Sequence, residues 1–187
     1  MTTASLSGKQ ALAYAVAGAA ALGAPAIAQA DFSGPYDHAN WTFTQGGDSS
    51  FSANLTTLVL TGSNNGSTLN ALTEYTIAAD ASGTVSFDWD YSSVDSLNWD
   101  YGGFSVNGVF TTLAFNSTAG TGNFSTAVNA GDVIGFWVFS QDSTFGAGVL
   151  EITNFSGPVA VPEPGSLGLL ALGTVGGALG LRRRRRS

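Results

Sequence analysis

The heptapeptide VSFDWDY, residues 85–91, alternates large apolar side chains with short polar ones. Successive side chains of a β-strand point to opposite faces of the sheet. Val85, Phe87, Trp89 and Tyr91 would therefore share one face, and the serine and two aspartates between them the other. This alternation predicts a half-buried strand whose aromatic face belongs to a hydrophobic core.

Similar β-rich runs, each bounded by turn residues, continue on both sides of this stretch. They read WTFTQ, ANLTTLVLTG, EYTIAA, GFSVNGVFTTLAF, NFSTAV, DVIGFWVFS and GVLEITNF. Together they predict about eight short strands and no helix of comparable length. We therefore expect an all-β fold, an antiparallel β-sandwich or jelly roll, over residues 31–160.

Two local patterns refine this expectation. The run VIGFWVF is apolar on both faces, which is typical of a strand covered on both sides, so Trp137 is predicted to be structural rather than a ligand platform. Asn65-Gly66 predicts a turn of the hairpin type.

The charges of the 187-residue chain are sharply segregated. The six basic residues are Lys9 and residues 182–186, whereas twelve of the thirteen acidic residues lie between residues 31 and 160. Affinity for nucleic acid depends mainly on cations that contact phosphates, so nucleic acid is excluded as a partner. The acids of the body must be solvated, hydrogen-bonded, or neutralised by metal cations.

The composition also excludes several kinds of catalytic site. The chain has no cysteine and one histidine, His38, so a zinc site or a thiolate nucleophile cannot be assembled. A Ser-His-Asp triad would depend on His38, which we expect to be mobile near the mature N-terminus. A glycosidase needs two opposed carboxylates, and the spacing of the acids selects no pair. We predict no catalytic residue.

Residues 1–30 have the layout of a secretory signal peptide. Lys9 precedes an apolar stretch, and Ala28-Gln29-Ala30 supplies the small residues of a signal peptidase site, with cleavage expected after Ala30. The alternative is a short membrane anchor.

The C-terminal segment predicts a transmembrane helix followed by a cytoplasmic charge cluster. Residues 165–181 contain no charged side chain and would span about 25 Å as a helix. The arginines at 182–186 favour the cytoplasmic side, so the body would face outward.

The order Val161-Pro162-Glu163-Pro164, apolar helix, arginine cluster resembles the PEP-CTERM sorting signal of Gram-negative bacteria that make extracellular polysaccharide. The resemblance covers residues 161–186, within a sorting-signal segment that we assign to residues 161–187. It implies that an exosortase-type membrane transpeptidase recognises Pro162, Glu163 and Pro164 and cleaves near them. The helix would be a transient membrane anchor, and the body would reach the cell surface or the extracellular matrix. Residues 107–157 also resemble bodies that often precede this signal.

The densest polar cluster is DWDYSSVDSLNWDYGG, residues 88–103. We expect Asp95, Asn98 and Asp100 in a loop after a strand, and Asp142 in a second loop at the same end of the sandwich. Oxygen ligands of this kind suit Ca²⁺, so calcium is the one cofactor that the sequence suggests, and none is required. The alternative is that these side chains cap turns.

Trp99 and Tyr101 lie in the same cluster, outside the alternation that buries Trp89. They are the aromatic residues expected to be exposed, and aromatic rings beside Asp and Asn are typical of sugar-binding surfaces. The alternative is that both rings fold inward.

Three functions remain open from the sequence. The first is an exported, non-enzymatic protein of the cell surface or polysaccharide matrix, with a structural or adhesive role. The second is a carbohydrate-binding module, with polysaccharide as its partner and calcium as an optional ligand. The third is a polysaccharide hydrolase.

Overall fold

Eleven strands and two short 3-10 turns make up the described part of the chain. The computed structural model describes residues 27–95, 98–114 and 119–160. The strands are β1 (Ile27–Ala30), β2 (Thr42–Thr44), β3 (Ser50–Asn54), β4 (Thr57–Thr61), β5 (Ala71–Ala78), β6 (Gly83–Ser92), β7 (Asp100–Val106), β8 (Val109–Ala114), β9 (Ala119–Val128), β10 (Val133–Ser140) and β11 (Val149–Ala160). The 3-10 turns are Gly34–Tyr36 and His38–Asn40.

The strands form two facing sheets. The first sheet has the order β3-β4-β11-β6-β9, with β1 beside the C-terminal end of β11, and the second has the order β2-β5-β10-β7-β8. All of the pairings are antiparallel. The predicted all-β antiparallel sandwich is therefore confirmed.

The stretch at residues 85–91 lies in β6, in the first sheet, and its alternation is as predicted. Val85, Phe87 and Tyr91 are at most 2% exposed, and Trp89 is half-buried against the same core. The core fills the space between the sheets because each inner face contributes aromatic rings, among them Phe87 of β6 and Phe136 of β10, which meet edge to face at 5.0 Å.

Two local predictions were wrong. The run ANLTTLVLTG forms a hairpin, β3 and β4, rather than one strand, because the Asn54 carboxamide oxygen accepts the N–H groups of Thr56 and Thr57 and turns the chain. Asn65-Gly66 lies between β4 and β5, which belong to different sheets, so it is part of a crossing connection.

The segment after β1 is an ordered part of the core. Phe32 and Tyr36 are fully buried, and Phe32 stacks on Phe155 of β11 at 4.7 Å. His38, expected to be mobile, stacks on Phe32, and its ring nitrogens lie 3.0 Å from the Tyr75 hydroxyl and 2.8 Å from the Asn54 carbonyl. The aromatic residues at 32 and 36 hold this segment in place.

The predicted processing sites lie at the ends of the described chain. Ala28 and Ala30 belong to β1, where they pair with Val159 and Gly157 of β11. Cleavage after Ala30 would remove β1 and leave the last residues of β11 without a neighbour on that side. Pro162, Glu163 and Pro164, the predicted helix at 165–181 and the arginines at 182–186 lie outside the described residues. Within the described ranges, no helix is long and apolar enough to cross a membrane.

Buried tyrosines predict a loss of stability at high pH. Burial, with the charge of Asp37 beside it, raises the pKa of Tyr75 to about 12, and burial also raises the pKa of Tyr36 and of Tyr91. An unfolded tyrosine ionises near its ordinary pKa of about 10. The neutral hydroxyls therefore contribute stability that is fully present below about pH 10 and is lost as the pH rises towards 12.

We expect the free energy of unfolding to fall steeply over that interval, as followed by urea titrations at successive pH values. Tyr75→Phe should make the fall shallower. An equal slope in wild type and Tyr75→Phe would contradict this account of Tyr75.

Candidate functional site

A groove of about 430 Å³ crosses the outer face of the second sheet. Its position follows from register. Trp137 of β10 is paired with Gly103 of β7, and Gly103 is paired with Thr112 of β8, so these three positions share the outer face. The groove is lined by Leu72, Tyr101, Phe110, Thr112, Trp137 and Phe139. Its walls are thus mainly aromatic, and its volume is in the range of ligand pockets.

Gly103 makes room for the floor of the groove. A Cβ atom at this position would lie 2.4 Å from the Trp137 ring and 2.2 Å from the Thr111 carbonyl oxygen. The indole can therefore lie across β7 only because residue 103 has no side chain. Trp137 meets Phe110 edge to face, with ring centroids 5.5 Å apart.

The indole nitrogen of Trp137 is a buried donor with no hydrogen-bond partner in the described structure. Trp137 itself is 5% exposed. An unmade hydrogen bond at a buried group costs about 1 to 3 kcal/mol, so such groups are uncommon in native proteins and often mark functional sites. The floor of the groove thus holds an unused donor.

A short polar chain fixes the position of Tyr101. The Tyr101 hydroxyl donates to the Asn98 carbonyl oxygen at 2.7 Å and accepts from the Gln141 carboxamide at 2.8 Å. The ring lies 6.3 Å from that of Phe139, nearly parallel to it. One wall of the groove is therefore held by hydrogen bonds as well as by packing.

Of the two aromatic residues predicted to bind sugar, one lines the groove and the other does not. Tyr101 lines the groove, but it belongs to β7 rather than to a loop. Trp99 is 41% exposed and is not among the lining residues. Sequence reasoning missed Phe110, which is 47% exposed at the rim, and treated Trp137 as structural. The sequence signal for them is Gly102-Gly103, because two glycines in a strand mark a close approach of neighbouring groups.

The predicted calcium ligands differ widely in burial. Asp95 and Asp100 are each 5% exposed, whereas Asn98 is exposed. Asp142 is half-buried, and its carboxylate accepts the Thr144 N–H at 3.1 Å. Asp100 is the first residue of β7 rather than a loop residue. Nowhere in residues 27–95, 98–114 and 119–160 do three or more His, Asp or Glu side chains form a group that would hold a metal ion.

A second groove, of about 460 Å³, lies on the outer face of the first sheet and is acidic. Asp88, Asp90 and Glu151 line it, and Asp90 is paired with Glu151 across β6 and β11. Asn154 donates to the Asp88 carboxylate at 2.7 Å. The two outer faces of the sandwich therefore differ in character, one aromatic and one acidic.

Comparison with known families identifies the C-terminal signal. Residues 160–186 match the PEP-CTERM protein-sorting motif. The chain thus carries this motif, which implies export and processing by an exosortase-type enzyme. No curated protein matches the chain by sequence.

The body resembles solved carbohydrate-binding modules in fold. A family 35 carbohydrate binding module from Clostridium thermocellum has 18% identity and a TM-score of 0.38, with 71% of this chain and 99% of that chain covered. The N-terminal cellulose-binding domain of a β-1,4-glucanase from Cellulomonas fimi has 12% identity and a TM-score of 0.40, with coverages of 76% and 100%. The CBM22-1 xylan-binding domain from Paenibacillus barcinonensis has 13% identity and a TM-score of 0.35, with coverages of 74% and 98%.

Proposed function

We propose that the mature protein is a non-catalytic component of the cell surface or polysaccharide matrix, and that it binds a neutral polysaccharide in the groove of the second sheet. The observation that carries this proposal is the aromatic floor and rim of that groove. Export through the sorting motif brings the body to the compartment where polysaccharide is found.

The chemistry of the groove suits a sugar ring. The C–H face of a pyranose packs on an aromatic ring through dispersion and burial of apolar surface, and Phe110 and Tyr101 offer such rings. The indole ring of Trp137 adds a third aromatic surface at the floor. Thr112, which is exposed at the rim, adds a hydroxyl that can donate or accept.

Charge favours a neutral glycan over an acidic one. Residues 31–160 contain twelve acids and no lysine or arginine. This segment therefore has no lysine or arginine to pair with a uronate or sulfate, and its negative field would repel such a polymer. The ligand class that follows is a neutral hexose or pentose polymer.

A glycan array tests this proposal. The processed protein should bind neutral oligosaccharides and should not bind sulfated or uronate-containing ones. Phe110→Ala should weaken binding about tenfold, or about 1.4 kcal/mol, because it removes an exposed ring from the rim.

Phe145→Ala is the matched control, since Phe145 is 83% exposed and lies outside the groove. It should leave binding unchanged. Binding that survives Phe110→Ala and fails in Phe145→Ala would reject the groove as the site, and an array with no neutral ligand would reject the function.

The hydrolase alternative would have to use the acidic groove. Glycoside hydrolysis requires one carboxyl group that stays protonated, usually because it lies in an apolar environment. Asp90 and Glu151 are exposed, so neither has that environment. Release of reducing ends from the host's own polymer by the purified protein would nevertheless favour this alternative.

A further inference from the structure

A buried polar cluster lies at one end of the sandwich. None of its residues lines the groove of the second sheet. It comprises Tyr91 at the end of β6, Asp95 in the following loop, Asp100 at the start of β7 and Ser93 between them. Tyr91 is fully buried, and Asp95 and Asp100 are each 5% exposed. We call these four residues the buried acid cluster.

The hydrogen bonds within the cluster leave two oxygens unused. The Ser93 hydroxyl donates to Oδ2 of Asp100 at 2.8 Å and accepts from the Asp95 N–H at 3.1 Å. Oδ1 of Asp100 and the hydroxyl of Tyr91 have no hydrogen-bond partner in the described structure, although both atoms are buried. Two buried, unpaired oxygens beside a second carboxylate form an unusual group, because buried polar atoms are almost always hydrogen-bonded.

Gly148 adjoins both unused groups. A Cβ atom at this position would lie 2.6 Å from the Tyr91 hydroxyl oxygen and 3.0 Å from the Cβ atom of Asp100. The two side chains therefore pack directly against the Gly148 backbone, and a larger residue would collide with the Tyr91 hydroxyl.

The part of the chain that carries this cluster supplies no lysine or arginine to balance the Asp100 carboxylate. Residues 31–160 contain no lysine or arginine. Oδ1 of Asp100 has no partner in the described structure, and burying a carboxylate with its charge unbalanced is costly, so Asp100 must hold either a proton or an external cation.

We propose that the buried acid cluster binds a calcium ion, with the carboxylates of Asp95 and Asp100 as its charged ligands. Calcium accepts six to eight oxygens in irregular geometry. The Tyr91 hydroxyl, loop carbonyls and water would complete the set, since the described residues supply no third acidic ligand. Of the four ligands predicted from sequence, the proposal keeps Asp95 and Asp100 and drops Asn98 and Asp142, which are turned to the surface or used in a turn.

Thermal melting of the processed protein with calcium chloride, or with chelator, tests this site. Calcium alone should raise the melting temperature of the wild type by about 5 °C or more. Asp100→Asn should abolish that rise while leaving the melting temperature in chelator unchanged or higher, because the amide carries no buried charge.

Tyr91→Phe provides a second, milder variant if Asp100→Asn fails to fold. It removes only the unpartnered hydroxyl, so it should shrink the calcium-induced rise without lowering stability in chelator. Asp90→Asn, in the exposed acidic groove, is the control and should keep the full rise. Glycan binding is measured separately in chelator, so failure of this site and failure of the proposed function are distinguishable.

Two results would overturn the proposal. One is an equal melting temperature of the wild type in calcium and in chelator, which would mean that Asp100 holds a proton instead. The other is a calcium-induced rise that persists in both Asp100→Asn and Tyr91→Phe, which would put the ion elsewhere.

Discussion

Replacing Gly103 with alanine should destabilise the domain by about 3 kcal/mol and abolish polysaccharide binding. The new methyl group would collide with the Trp137 ring and with the Thr111 carbonyl oxygen. The indole is a rigid side chain packed against Phe110, and the carbonyl belongs to the paired strand β8, so neither can move without disturbing the sheet. The measurement is a urea titration of the processed protein together with a glycan-binding assay.

Gly122→Ala is the matched control. This glycine also lies in a strand opposite a tryptophan, but the three atoms nearest to an added Cβ would all belong to the Trp89 ring, at 3.0 Å, and none to the backbone. We expect it to cost much less and to leave binding intact. Equal stabilities for the two variants would contradict the account of the groove floor.

Replacing Tyr36 with alanine should cost about 4 kcal/mol, which is a large part of the stability of a domain of this size. The side chain is fully buried, and its hydroxyl donates to the Pro158 carbonyl oxygen at 2.8 Å and accepts the Asp80 N–H at 3.2 Å. It thus joins the N-terminal segment to the last strand and to the loop before β6.

Tyr36→Phe separates the ring from the hydroxyl. It should cost only about 1 kcal/mol, because it removes hydrogen bonds and keeps the packing. Denaturant titrations measure the free energy of unfolding of the two variants. A similar loss of stability in both would show that the ring contributes little. Signal peptide cleavage after Ala30 would keep Tyr36 in the mature protein, whereas cleavage after Tyr36 would remove it.

The sequence predicts those features of the fold that depend on local periodicity. The alternation in residues 85–91 identifies a half-buried strand, and repeated β-rich runs identify a sandwich. The prediction of one strand over ANLTTLVLTG was wrong for a local reason. Its residues favour a strand, but the Asn54 side chain accepts two backbone N–H groups and reverses the chain into a hairpin. Asn65-Gly66 is a dipeptide typical of hairpin turns, yet the flanking strands β4 and β5 belong to different sheets.

The candidate site depends on register, which the sequence does not reveal. Trp137 lies over Gly103 only because β10 and β7 pair at those positions. Nothing local to VIGFWVF indicates which face is the core and which is the groove. The burial of Asp100 likewise follows from its pairing with Ser140 at the start of β7, so a residue that the sequence places in a loop lies inside the sandwich.

The most direct test of the central claim follows the indole N–H groups by NMR while the host's own neutral matrix polysaccharide is added to the processed protein. Trp137 should give a shifted N–H signal, because its ring lines the groove that the sugar would occupy. Trp41, whose indole N–H already donates to the Tyr36 carbonyl at 2.9 Å, should not move. A Trp137→Phe variant assigns the signal. Unchanged signals, or a shift confined to Trp99, would contradict polysaccharide binding in the groove.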